Sequence, residues 1–432
     1  MGVSAVLEPL VVIVLLLGGT WINRVNVSSL DLDRRRTRPS TESIRGSSCD
    51  SLEPGYSPPT PKDGLLSARS GLFRPPISPW HKRQIGMMGM AYEVTSPNTV
   101  VFQDRLLSRL LRRFPFLVEC WYWALVYWTY QLGRAFTAMS LQEGTVDVSR
   151  RHALQFIQVE QALSIFWEIR IQKFFLRHPL LMTWTNWTYS FIHIPGTIAF
   201  LVWLYYYTTT RNRIESQPGK PRGAGGSPAG PQLYQAQRRT LAACNLLAFV
   251  VFTLWPCMPP RLLSDPAEKG PTGDVARSYG FIDTVHGVNG AGSVWTSNRF
   301  CNQYAAMPSL HFGYSLMIGL TIMMIPIPPR RHAIMHSRLT RPLGLSWCRL
   351  ICLFLGFLYP FIILVAIVAT ANHFILDALA GTLVCALGWR FNRVLLNLLP
   401  LEDYFLWLVR IHKPEPFLVK EGVGESDEVY SS

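Results

Sequence analysis

Apolar residues in this chain gather into long blocks separated by polar stretches, and not into the strict alternation of half-buried strands. The first block is Val3–Trp21, "VSAVLEPLVVIVLLLGGTW". Others lie near 117–138, 184–207, 241–258, 309–327, 350–371 and 373–395. Several approach the ~20 residues that carry a helix across a bilayer. Residues 150–175, "RRHALQFIQVEQALSIFWEIRIQKFF", place apolar side chains at helical spacing but carry too many charges to span. That pattern predicts an amphipathic helix at the membrane interface. Residues 24–115 are rich in Ser, Pro and Arg, as in "SPPTPKDG" and "RPPISP". Such a stretch buries too little apolar surface to order itself, and most of it is expected to be disordered. The Gly/Pro-rich "SQPGKPRGAGGSPAGPQ" marks 208–240 as a flexible linker.

The pattern predicts an all-α, polytopic membrane helix bundle. Its parts are an N-terminal anchor (1–23), a disordered basic region (24–115), a transmembrane core (116–396) interrupted by the linker at 208–240, and a tail (397–432). Composition agrees: 49% of the residues are hydrophobic and only 16% charged, against roughly 25% in soluble proteins. The net charge of +14 therefore reads as a topology signal and not as a nucleic-acid surface. Arg211, Arg213 and Lys220 fall in one connection, Arg330, Arg331 and Arg338 in another, and Arg390 and Arg393 end the last block. These sites, 24–115 and the tail belong in the cytoplasm. No basic residue precedes the first block, so it reads as a retained anchor and not a cleaved signal. The eight cysteines are scattered without metal-ligand spacing. Cys257 and Cys301 would pair if both faced an oxidising lumen.

The remaining connections, 139–183, 259–308 and the turn at Ala371–Asn372, then share the opposite membrane face. His311, in "NQYAAMPSLHFGYS", begins one descending helix, and His373 begins the last. Arg261 follows the 241–258 block. Helix N-termini favour anions. Asp377 lies four residues after His373, on the same helical face. An intramembrane carboxylate is costly and usually functional. Two histidines, one backed by a carboxylate, and an arginine suit phosphoryl transfer: one imidazole attacks phosphorus, the other protonates the leaving oxygen, and the arginine neutralises the equatorial oxygens. Taken singly, each histidine reads more readily as a cap or a satisfied interfacial residue and Arg261 as a membrane-edge anchor; it is their placement on one face that points to function. No cluster of acids calls for a metal, and no cofactor is expected.

"AAMPSLH" (Ala305–His311) and "ANHFILDALAG" (Ala371–Gly381) resemble the second and third signature motifs of the type 2 phosphatidic acid phosphatase superfamily. The Pro-Ser-Leu-His form, with "YGFIDTVHG" (Tyr279–Gly287) and "NWTYSFIHIPGTIAFLVWLY" (Asn186–Tyr205), is similar to the branch of fungal inositol phosphorylceramide synthase and related inositolphosphotransferases. The resemblance covers roughly 150–395. It implies a six-helix, phosphatase-like membrane core with a lumenal or extracellular site and a phosphohistidine intermediate. His373 would be the nucleophile, Asp377 its orienting group, and His311 the general acid and then base. Ser309 would donate to phosphate; the alternative for it is a helix N-cap. Tyr189 and His193 would line the acceptor pocket, or else make interhelical hydrogen bonds.

The motifs depart from the common pattern in three places. Leu310 stands for a glycine, Ile367 for an arginine, and Leu254 for a lysine, which leaves a thinner phosphate clamp that Arg299 or backbone N–H groups would supplement. The expected activity is a membrane phosphotransferase, with a lipid phosphate phosphatase and a non-catalytic lipid-binding scaffold as rivals. Membrane lipids are the expected partners as substrates, an accessory membrane subunit is compatible, nucleic acid is not, and Golgi or ER is the expected location.

Overall fold

The computed structural model describes residues 3–25, 78–87, 90–140, 144–215, 227–264, 271–284, 303–327 and 346–414. Arg299, Cys301 and residues 26–77 lie outside these ranges. In chain order, the elements begin with helix α1 (Val3–Ile22), strands β1 (Trp80–Met87) and β2 (Met90–Pro97), and helices α2 (Leu106–Arg113), α3 (Phe116–Ser140) and α4 (Gly144–Ala162). There follow α5 (Glu168–Leu176), α6 (Pro179–Ile214) and α7 (Pro231–Leu254). Then come α8 (Pro271–Ser278), α9 (Leu310–Met324), α10 (Trp347–Ala369), α11 (Ile375–Phe391) and α12 (Leu399–Leu408). The protein is mostly helical, as its apolar blocks predict.

The chain forms two compact units. The first holds α1 and everything from α3 through α11. Its core is an apolar seam of Phe116, Leu204, Tyr234, Leu241, Ile318 and Val384, contributed by α3, α6, α7, α9 and α11. A second cluster, with Ile157, Met258, Leu263, Phe281 and Phe374, packs α4 against the irregular connections. One buried ion pair ties two of its helices: Arg238 Nη1 donates to Glu119 Oε2 at 2.6 Å, joining α7 to α3. Outward faces are apolar. Leu10, Val14 and Leu17 on α1, Phe354, Phe357 and Phe361 on α10, and Leu379 and Leu383 on α11 are all exposed. Water is a poor neighbour for faces this continuous. Among the described residues, α6 and α10 are long and apolar enough to cross a bilayer, and Leu7–Ile22 and α9 are shorter apolar helices.

Two close approaches fix α9 among its neighbours. A Cβ on Gly356 of α10 would stand 2.6 Å from the carbonyl oxygen of Gly319 on α9. A Cβ on Gly381 of α11 would collide with the carbonyl of Ser309, and one on Gly313 would lie 2.9 Å from the oxygen of Gly381. Small residues at these crossings let helix backbones touch, the usual basis of packing between membrane helices.

The structure corrects three sequence expectations in this unit. The 150–175 stretch makes two helices, not one, with a break at 163–167 where Ser164 adopts φ 59°. The break lets both flanking acids, Glu160 and Glu168, turn inward, each fully buried. The 208–240 linker is helical at both ends, because Pro231 stands at the first position of α7, where proline starts a helix without breaking it. His373 also does not begin a helix: α11 starts at Ile375, with Phe374 at its N-cap.

The second unit lies in stretches read from sequence as disordered region and tail. Strands β1 and β2 pair antiparallel, from Trp80↔Pro97 to Met87↔Met90. Asp403 of α12 organises it, accepting from Arg83 Nε at 2.6 Å, Arg83 Nη2 at 3.0 Å and Ser96 Oγ at 2.7 Å. Burial alone would raise its carboxyl, but these bonds and the nearby charges outweigh that and hold it below the usual range. A buried, hydrogen-bonded ion pair supplies the order that composition argued against.

Candidate active site

Four backbone segments build the site, and each is pinned locally. Cys257 N donates to Tyr304 O at 2.8 Å and Ala306 N to Cys257 O at 3.1 Å, so 256–258 and 304–306 pair like short strands. Ser309 then caps α9, its Oγ accepting from Phe312 N at 3.5 Å. Of the two readings for Ser309, the structure shows the cap. Its own N–H donates to Asp377 O at 2.9 Å, which ties the start of α9 to the first turn of α11.

The turn before α11 doubles back on the end of α10. Asn372 N and His373 N both donate to Ile367 O, at 3.0 and 3.2 Å, and Ala371 has φ 52°. A non-glycine residue in the left-handed region costs about 1–2 kcal/mol, so something must hold the turn. Arg261 does: its N–H donates to Ala371 O at 2.8 Å and its Nε to Asn372 Oδ1 at 2.9 Å. Its Nη1 also pairs with Asp283 Oδ2 at 3.0 Å. The arginine expected to clamp phosphate is thus bonded already to protein groups, and an entering phosphate must share it with Asp283. Lysine at position 261 would keep the charge but lose the planar fork that bridges Asn372 and Asp283. Losing one charge-assisted hydrogen bond costs about 1.5–3 kcal/mol, so Arg261→Lys is expected to lower kcat about 10- to 100-fold in a steady-state assay. Wild-type kcat in that variant would remove Arg261 from the support of the turn.

His373 is nearly enclosed, at 7% exposure. Its Nδ1 lies 2.8 Å from the carbonyl oxygen of Ala306 and 3.5 Å from Asp377 Oδ2. The shorter contact must be a donated N–H, because a carbonyl only accepts. Nε2 is therefore the nitrogen left with a free lone pair. The sequence reading gave this orienting role to Asp377 alone; the structure gives the direct bond to a backbone carbonyl. Asp377 sits just beyond as a nearby charge, and its Oδ2 accepts from Phe374 N at 2.8 Å. The next two amides of α11 are also taken by carboxylates: Ile375 N donates to Glu168 Oε1 at 3.0 Å and Leu376 N to Glu160 Oε1 at 2.9 Å. The expectation that this helix N-terminus offers amides to an anionic substrate is overturned, because protein carboxylates already occupy it.

The second histidine faces the first. His311, in the first turn of α9, has its ring centroid 5.7 Å from that of His373. At that separation one phosphoryl group can contact an imidazole on each side. Tyr189 stacks on His311 at 4.7 Å and His193 lies 5.1 Å away on the same ring. His193 Nδ1 is 3.0 Å from the Tyr359 hydroxyl. Both residues expected near the acceptor thus meet His311, and Tyr189 sits in a π turn, Thr188–Ile192, of α6. Such turns recur where a helix wall adapts to a site. Sequence reasoning missed Ala306, Tyr359, Glu160 and Glu168. Among these only the acids carried a signal, as charged positions within the amphipathic 150–175 stretch.

The family model of the PAP2 superfamily matches residues 154–215 and 229–340. The matched residues include Tyr189, His193, Arg261, Ser309 and His311 and stop before His373 and Asp377, which the fold brings to the same place. Comparison with curated proteins and with solved structures gives no match. Over the matched residues the chain is similar to the PAP2 superfamily, generally made up of phosphatases and phosphotransferases, and this supports the resemblance to type 2 phosphatidic acid phosphatases.

Proposed function

We propose that this protein is a multi-pass membrane phosphotransferase that moves a phosphoryl or phosphoinositol group from a lipid donor to a lipid alcohol. The observation that carries the proposal is the pair of facing imidazoles, one with its Nδ1–H fixed on a backbone carbonyl. His373 Nε2 attacks phosphorus while the leaving alkoxide takes a proton from His311. The phosphohistidine then meets the second alcohol, which gives its proton to His311 as its oxygen displaces the imidazole. Asp377, 3.5 Å from Nδ1, lowers the cost of positive charge on the ring. The Pro-Ser-Leu-His motif and "YGFIDTVHG" support the inositolphosphotransferase branch and a sphingolipid acceptor. Water in place of the alcohol would make the protein a lipid phosphate phosphatase with the same first step. The deciding experiment incubates detergent-purified protein with labelled phosphatidylinositol plus ceramide, and separately with phosphatidic acid, and identifies the products. Turnover of neither donor would overturn the proposal.

In this reading six helical segments after α1 form the membrane core, with the site on the lumenal side of an endomembrane. The arginine asymmetry of the connections predicts the sidedness. In a cysteine-depleted background, Ser278→Cys is expected to react with an impermeant thiol reagent only from the lumenal side, and Gln232→Cys only from the cytoplasm. Labelling of both from one side would break the topology.

A further inference from the structure

Three carboxyls converge on the first turn of α11: Asp377 from the helix itself, Glu160 from α4 and Glu168 from α5. All three are 0% exposed. Asp377 Oδ2, Glu160 Oε1 and Glu168 Oε1 each accept one backbone N–H, at Phe374, Leu376 and Ile375. The other oxygens, Asp377 Oδ1, Glu160 Oε2 and Glu168 Oε2, have no donor among the described residues. Consecutive amides at the start of one helix, Ile375 N and Leu376 N, hold the two glutamates side by side. Two adjacent, fully buried carboxylates with orphan oxygens repel one another and each lose hydration. One proton between them removes a charge and gives both orphan oxygens a bond.

We infer that Glu160 and Glu168 share a single proton and act as one hydrogen-bonded clasp on the N-terminus of α11, positioning His373 toward His311. They are positioning residues: they hold the first turn of α11, which follows just after His373, and not the reacting atoms. The inference rests on the proposed phosphotransferase reading for its effect on rate, but the shared proton is a property of the folded chain alone. Burial, then the hydrogen bond and charge of Glu168, push the Glu160 carboxyl up to about 9, which agrees with a proton kept at neutral pH. The titratable groups facing Glu160 are Glu168 of α5, Asp377 of α11 and the Cys257 thiol, which burial and then the charges of Asp377 and Glu160 push up. Because the carboxyl is raised, the proton is present at neutral pH and leaves as pH rises through about 9. A third negative charge then opens the clasp.

The test has two arms. Infrared spectroscopy of the wild-type protein in detergent is expected to show a protonated-carboxyl C=O band at neutral pH. That band should vanish on alkaline titration and be missing from Glu160→Gln. Its absence from the wild type, or its persistence in Glu160→Gln, overturns the shared proton even if the protein has no transferase activity. In the kinetic arm, Glu160→Leu is expected to lower kcat about 10- to 100-fold at little change in KM, since a misplacement of about 1 Å costs about 10²-fold. Glu160→Gln, whose amide can both accept from Leu376 N and donate to Glu168, is expected to recover most of that loss and to lose the wild-type fall in kcat at alkaline pH. An alkaline limb identical in wild type and Glu160→Gln, or a Gln variant as impaired as Leu, overturns the positioning role.

Discussion

Replacing His373 with glutamine is expected to lower turnover by about 10⁴-fold or more, the scale seen when a member of a catalytic unit is removed. Glutamine approximates the length of the imidazole and can donate to Ala306 O, where His373 Nδ1 now sits at 2.8 Å. The fold should therefore survive, as gel filtration and circular dichroism can show. What is lost is the nucleophilic lone pair on Nε2. Asp377→Asn is expected to cost less, about 10- to 100-fold. The tautomer is already fixed by Ala306, and the charge at 3.5 Å from Nδ1 contributes mainly to stabilising the imidazolium. Wild-type turnover in His373→Gln would end the phosphohistidine mechanism. A loss in Asp377→Asn as deep as in His373→Gln would mean that Asp377, and not the carbonyl, sets the ring.

The second large effect separates the two histidines by the leaving group. General acid catalysis typically contributes about 10²–10⁴-fold, and less as the leaving group becomes a stable anion. His311→Ala is expected to lose turnover on that scale with a natural lipid donor. With a nitrophenyl phosphodiester lipid it should regain most of its first-step rate, seen as a burst of nitrophenol. The second step still needs a base at position 311, so an acid-labile, base-stable phosphohistidine should accumulate. His373→Ala should recover nothing on the same substrate. Rescue of His373→Ala, or of neither variant, would reverse or remove the assignment.

Much of this site was legible in the sequence because His311 lies in the first turn of a helix and His373 just before another, positions that apolar periodicity and arginine asymmetry can locate. His311, His373, Asp377, Tyr189 and His193 were all named from their spacing and all meet in the structure. The carbonyl of Ala306 could not be read, because a backbone acceptor has no side-chain identity. Arg261 was found, but its bonds to Asn372 and Asp283 join positions far apart in the chain. Glu160 and Glu168 looked like the polar face of an interfacial helix; only the break at Ser164 turns both inward. The β1–β2 hairpin escaped because its linking residues, Met88-Gly89, lack the Asn-Gly or Asp-Gly signature of a tight turn. Its order depends on Asp403, more than 300 residues away in the chain.

The glycine crossings bear on how such a protein can acquire new substrates. Helix α9 meets α10 at Gly319 and Gly356, and meets α11 at Gly313 and Gly381, with backbone against backbone. A Cβ added to any of these glycines would meet a carbonyl or the packed side chains of Pro360, Met323 or Cys385, so substitution of the glycines cannot adjust the gap between His311 and His373 gradually. The third wall is built differently: Tyr189 and His193 reach His311 as side chains from the π-turned part of α6. Variation there reshapes the space beside His311 without moving the two facing histidines. On the proposed phosphotransferase reading, evolvability is divided between the walls: the glycine-packed helices hold the facing histidines, and α6 borders the acceptor.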